Sequence, residues 1–236
     1  MTSDLNSLKG RLADVRSRIA AAAKRAGRAS EDVQLIAVSK THPSRVLRDA
    51  IAVGLTDLGE NRVQEAEEKI VDVGRDVARW HLIGHLQSNK ARRAVQLFDV
   101  IHSLDSIALA QKLDYACQDL KRDQLPVLIQ VDLGHEATKS GIAESELPRL
   151  IDVVNACDHL SFLGLMTLPP FFEDANLTRP FFVKLRELRN RYASLSAFGQ
   201  GRGELSMGMT NDFEVAIEEG ATMVRVGTAI FGERGR

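Results

Sequence analysis

Val33-Gln34-Leu35-Ile36-Ala37-Val38-Ser39, running into Lys40-Thr41-His42-Pro43, is the stretch on which the fold turns. It is a short aliphatic run that stops at turn chemistry, as a strand buried on both faces does. No GxGxxG follows it, so the phosphate turn of a dinucleotide-binding doubly wound sheet is missing. Seven more runs of the same kind lie downstream: Asp57 to Glu60, Trp80 to Leu86, Val100 to Leu104, Pro126 to Leu133, Phe162 to Leu168, Glu204 to Met209, and Met223 to Phe231. The intervals between them hold helical patterns long enough for right-handed crossovers. Eight parallel strands alternating with helices predict a closed (β/α)8 TIM barrel, an α/β fold of about 250 residues. That barrel uses up the 236-residue chain, so a single domain over residues 1–236 is expected. No linker or low-complexity tract divides it. An open doubly wound sheet ranks second.

Upstream of the first run, Leu5, Leu8, Leu12, Val15 and Ile19 recur at spacings of three and four. This is one apolar stripe, and it predicts an extra N-terminal helix ending near Gly27. Lys and Arg number 31 against 32 Asp and Glu, a net charge of −1 that argues against nucleic acid or any broad polyanion as a partner. Hydrophobic residues make up 44% and charged residues 27%, the balance of a globular protein with a sizeable core. No apolar run approaches the roughly 18 residues of a membrane span, and no secretory h-region opens the chain. Cys117 and Cys157 stand far apart with no CxxC, and are expected as buried thiols in a reducing compartment. Cytoplasmic localisation, no membrane contact and a monomer are the expectations.

In a barrel the chemistry sits at the carboxyl ends of the strands. Lys40 closes the first apolar run, where partial desolvation would lower its pKa and suit it to Schiff-base formation with a carbonyl compound. Near the other end, Ser206-Met207-Gly208-Met209-Thr210 precedes Asn211-Asp212-Phe213-Glu214, with Asn211 and Glu214 read as N-cap and N3 of a helix. Backbone N–H groups there, with the Ser206 and Thr210 hydroxyls, make an anion site. Arg225-Val226-Gly227-Thr228 adds a fixed charge, a glycine for close approach and a hydroxyl donor. Loops after strands 7 and 8 are where barrels bind phosphate. An amine facing a phosphate cradle suits a ligand with an aldehyde and a phosphate, either pyridoxal 5′-phosphate or a phosphorylated sugar. His81 and His85 have HxxxH spacing but no third ligand, so no metal is expected.

The motifs Ala37-Val38-Ser39-Lys40-Thr41, Gly59-Glu60-Asn61, Trp80-His81-Leu82-Ile83-Gly84, Gly164-Leu165-Met166, Leu205 to Thr210 and Val224 to Gly232 closely resemble the pyridoxal phosphate homeostasis proteins over nearly the whole chain. The resemblance implies a single-domain barrel of the alanine-racemase type with pyridoxal phosphate linked to Lys40. It implies phosphate contacts from Ser206, Gly208, Thr210, Gly227 and Thr228, Asn61 and Met166 along the ring, and Arg225 at the cofactor. Lys139-Ser140-Gly141 also matches a family motif, with Lys139 read as a solvated loop lysine. The two tyrosines, Tyr115 and Tyr192, fall inside helical patterns, so the second acid/base of a strong racemase is not expected. The implied function is vitamin B6 homeostasis: a carrier with little or no turnover that passes the cofactor to recipient apoenzymes. A weak amino-acid racemase is the first alternative and a class I aldolase the second.

Overall fold

The computed structural model describes residues 2–134, 140–199 and 201–232. Eight strands, β1 (Gln34–Val38), β2 (Asp57–Glu60), β3 (Arg79–Leu82), β4 (Val100–Leu104), β5 (Leu125–Gln130), β6 (Leu160–Met166), β7 (Glu204–Met209) and β8 (Met223–Val226), form a closed barrel in sequence order. Every pair is parallel, and β8 closes on β1 with Gln34 opposite Met223 and Ala37 opposite Val226. Around it lie α1 (Thr2–Arg25), α2 (Ser44–Ala52), α3 (Val63–Val73), α4 (Ala91–Leu97), α5 (Ile107–Leu120), α6 (Leu147–Asn155), α7 (Arg179–Ser194), α8 (Phe213–Glu218) and α9 (Thr228–Phe231).

The expected bounds hold for β2, β4 and β7, miss by one or two residues in β1 and β6, and overrun by three to five residues in β3, β5 and β8. Ile83 and Leu86 are buried, but in a loop: a Cβ on Gly84 would lie 2.3 Å from the Asn61 carbonyl oxygen, and the chain turns away there. At the last run Gly227 ends the strand, and Ile230 and Phe231 are the buried face of α9 rather than strand residues. Apolar content alone does not separate a buried strand from a buried helical turn.

Helices pack on the outer face of the barrel through one large core that includes Trp80, Phe98, Phe182, Phe213 and Leu47. Each such side chain, fully removed from water, contributes about 1.5–3 kcal/mol. A second, small apolar cluster from five different strands, Ile36, Val100, Leu128, Met166 and Met223, lies inside the barrel. The predicted α1 stripe is buried at Leu8, Leu12, Val15 and Ile19, with Leu5 half-buried. It covers α8 and α9, where Arg11 Nε donates to the Ile230 carbonyl at 2.6 Å and the Arg18 guanidinium sits 4.7 Å over the Phe213 ring. Cys117 is buried as expected, whereas Cys157 is only half-buried; burial pushes both thiols up to about 11. Among the described residues, no helix is long and apolar enough to cross a membrane.

Candidate functional site

At the carboxyl ends of the strands a cavity of about 530 Å³ opens, a volume suited to a small cofactor. Six of the nine expected residues line it: Lys40, Asn61, Thr210, Arg225, Gly227 and Thr228. Met166, Ser206 and Gly208 do not. Met166 is fully buried in the interior apolar cluster, so it packs the barrel instead of lining the cavity. Ser206 is fully buried too, with its oxygen 2.6 Å from Arg225 Nη1 and 2.9 Å from His102 Nδ1. Gly208 has φ of +90°, and a Cβ there would lie 2.6 Å from Ala216 Cβ and 2.9 Å from Phe213 Cα. Its absent side chain lets α8 close onto β7.

Lys40 stands two residues beyond the end of β1 and is exposed at the cavity rim, not part of the strand and desolvated as expected. Its backbone is held from behind. Ser39 donates to Glu60 Oε1 at 2.6 Å, and the buried Lys69 Nζ donates to Glu60 Oε1, Glu65 Oε1 and the Ser39 carbonyl, each at 2.7 Å. The Thr41 N–H donates to Glu65, and Thr41 takes φ of +65°. Burial raises the Glu60 carboxyl above its ordinary value against the pull of Lys69, and Glu60 Oε2 has no hydrogen-bond partner among the described residues. The Lys40 amine itself is held by no hydrogen bond or ion pair among the described residues. It is free to reach across the opening.

Arg225 is its opposite. The side chain is 2% exposed, and its second Nη donates to the Thr167 carbonyl at 2.9 Å. Burial pulls its pKa down to about 10, with Asp212 opposing, so the guanidinium stays charged at neutral pH.

On the side of β7 and β8, the Gly227 N–H donates to Thr210 Oγ1 at 3.3 Å, tying the two loops together. The helix after β7 starts at Phe213, one residue later than expected. Asp212 Oδ1 accepts the Met209 N–H at 2.6 Å, the Asn211 amide donates to the Phe172 carbonyl at 2.9 Å, and Glu214 pairs with Arg18 on α1. Neither Asn211 nor Glu214 caps the helix. The first internal bond after β8 runs from Ile230 to the Gly227 carbonyl, which leaves the Thr228 and Ala229 N–H groups ahead of it for an anion.

Several lining residues were not foreseen: His85, Gln130, and the apolar segment Leu168, Pro170, Phe171 and Phe172. Gln130 carried a legible signal, a polar residue closing an apolar strand as Lys40 nearly does. The segment after β6 follows no helix or strand period, so its aromatic pair reads as loop. His81 and His85 point to different places: His81 is buried inside the barrel, and His85 bonds Asp105 at 3.2 Å by the mouth. No group of three metal-ligating side chains occurs among the described residues. Lys139 lies outside them, while Ser140 lines the cavity.

A parallel barrel with a lysine amine facing the hydroxyl and N–H groups of two loops at its mouth defines a class, and residues 11–235 match the family described as alanine racemase, N-terminal domain. The pyridoxal phosphate homeostasis protein of Aquifex aeolicus is 42% identical over 226 residues, 95% of this chain and 97% of its own. That of Escherichia coli K12 is 39% identical over 240 residues, 98% of each. The solved structure of PipY from Synechococcus elongatus PCC7942 with PLP bound is 40% identical, with a TM-score of 0.77 over 95% of this chain and 100% of that one. The chain belongs to the pyridoxal phosphate homeostasis protein family.

Proposed function

We propose that this chain binds pyridoxal 5′-phosphate at the barrel mouth, as a Schiff base on Lys40, and acts in vitamin B6 homeostasis with little or no catalytic turnover. The observation that carries this reading is the pairing, across one cavity, of the untethered Lys40 amine with the Thr210, Gly227 and Thr228 cradle beside Arg225. When bound, the cofactor supplies an aldehyde carbon for the amine and a phosphate for the cradle. The Glu60 and Lys69 brace sets where the amine starts from. Thr210, Thr228 and the N–H groups ahead of α9 would hold the phosphate, Asn61 would line the ring, and Arg225 supplies a charge that does not titrate near neutrality. The pyridoxal phosphate homeostasis proteins this chain resembles, and PipY with PLP bound, support the same ligand.

Tyr192 is buried on α7 and Tyr115 is exposed on α5; neither lines the cavity, which supports carriage over racemisation. We further propose a single domain, a monomer in the cytoplasm, and pyridoxal-phosphate-dependent apoenzymes as recipients. The test is mass spectrometry of the cofactor-soaked protein after borohydride reduction. A pyridoxyl adduct on Lys40, absent in Lys40→Ala, is expected; a colourless protein, or an adduct on another side chain, overturns the reading. Steady formation of D-alanine from L-alanine would favour the racemase instead.

A further inference from the structure

Behind Arg225 a column of polar side chains runs through the barrel interior to its opposite end. Asp57 Oδ1 lies 3.0 Å from His81 Nε2, and His81 Nδ1 lies 2.9 Å from His102 Nε2. His102 Nδ1 is 2.9 Å from Ser206 Oγ, which is 2.6 Å from Arg225 Nη1. His81, His102 and Ser206 are fully buried. Both ends of the column are one-way: a guanidinium only donates and a carboxylate only accepts. Burial alone would raise the Asp57 carboxyl, but hydrogen bonds from His81, Thr56 and Gln34 outweigh it and hold the group below its ordinary value. Burial keeps both imidazoles neutral, His102 well below its ordinary value.

These ends fix every proton between them. Arg225 donates to Ser206, so the hydroxyl proton goes to His102 Nδ1. A neutral His102 then carries its own proton on Nε2 and donates to His81 Nδ1, and His81 donates from Nε2 to Asp57. All four bonds point the same way. Beside the column lies the apolar cluster of Ile36, Val100, Leu128, Met166 and Met223, and apolar side chains filling the column as well would be neutral or stabilising. The column ends on a side chain that lines the cavity.

We propose that His102, oriented in turn by His81 and Asp57, is a positioning residue for Arg225: by accepting the Ser206 proton it turns a serine lone pair to the guanidinium and holds a permanent positive charge still at the cavity wall. Without His102 the serine proton is free to rotate toward the guanidinium, and only the Thr167 carbonyl would restrain it. The effect on bound cofactor rests on the reading of the cavity given above, whereas the effect on Arg225 does not.

The experiment uses the full chain. In ligand-free protein labelled with nitrogen-15, both rings are expected as neutral Nε2–H tautomers, and rotation of the Arg225 guanidinium is expected to be restricted; an Nδ1–H tautomer or a cationic ring at His102 at neutral pH overturns the proposal. In His102→Leu the rotation becomes free. In His102→Gln, whose amide oxygen can accept from Ser206 while its N–H donates to His81, restriction returns. Titrated with pyridoxal 5′-phosphate, the Leu variant is expected to bind about tenfold more weakly, the scale of one lost hydrogen bond to a charged group. It also loses most of the induced visible circular dichroism, and the Gln variant keeps both. A folded Leu variant with wild-type affinity, dichroism and guanidinium restriction overturns the proposal. If the variants do not fold, the wild-type tautomers and guanidinium signals decide it. If wild type binds no cofactor, the cavity reading fails and the ligand-free spectra still judge the column.

Discussion

The two cations that face the cavity are anchored in opposite ways. Lys40 is exposed, and its support is ionised: Lys69 with Glu60 and Glu65, gripping the backbone on either side of the lysine and leaving its amine alone. Arg225 is buried, and its immediate support is neutral: a serine hydroxyl and a carbonyl oxygen that grip the guanidinium itself. An amine in the role proposed for Lys40, forming and releasing a bond to carbon, needs a fixed root and a loose tip. A charge that acts only through its field needs the reverse.

Three measurements press on this contrast. The largest effect is expected from Lys69→Met, which leaves Glu60 buried with Ser39 as its one side-chain donor. Breaking one partner of a buried ion pair costs about 3–5 kcal/mol, readable by urea denaturation, and a loss under about 1 kcal/mol would mean that the lysine side is no more rigidly braced than a surface pair. Next, Gly208→Ala, one residue before the Met209 that pairs with Arg225 across β7 and β8, combines a positive φ with the 2.6 Å approach to Ala216 Cβ. It should destabilise by about 2–3 kcal/mol through overpacking, and a neutral result would show that α8 yields easily and the arginine side is the softer one.

The smallest effect is a pH slope. His102 is depressed when folded, so below the ordinary 6.5 the unfolded chain takes up a proton that the native state refuses. Stability therefore falls as pH falls from there, by up to about 1.4 kcal/mol per pH unit for each such ring. His81 acts in the same direction, whereas Glu60, raised when folded, runs the other way. The informative quantity is the difference between wild type and His102→Gln in urea midpoints from pH 7.5 to 5.5, where the contribution of Glu60 cancels. Identical slopes would mean that His102 is not held neutral.

Much of the barrel was legible because most strands are compact apolar runs followed by a helical period. The bounds failed where burial continued past the strand: Ile83 and Leu86 in the loop after β3, Ile230 and Phe231 in α9. The site was legible where a polar residue interrupts an apolar run at a strand end, as with Lys40, Thr210 and Thr228. Ser206 shows the limit. Its hydroxyl was counted toward the anion cradle, but strand alternation turns it into the barrel, where His102 and Arg225 meet it. The column needs five strands to meet in space, and His81 and His102 are 21 positions apart, so no spacing rule joins them.

The clasp of α1 over α8 and α9, together with the β1 to β8 closure, carries a consequence for synthesis. The barrel's first helix and strand have as their mates its last ones, made about 190 residues later. At ordinary ribosome speeds that means a wait of roughly 10–50 s during which two raw sheet margins and a bare stripe of Leu, Val and Ile stay uncovered. The ring is buckled last, and the loops after β7 and β8 take their shape only when the buckle shuts.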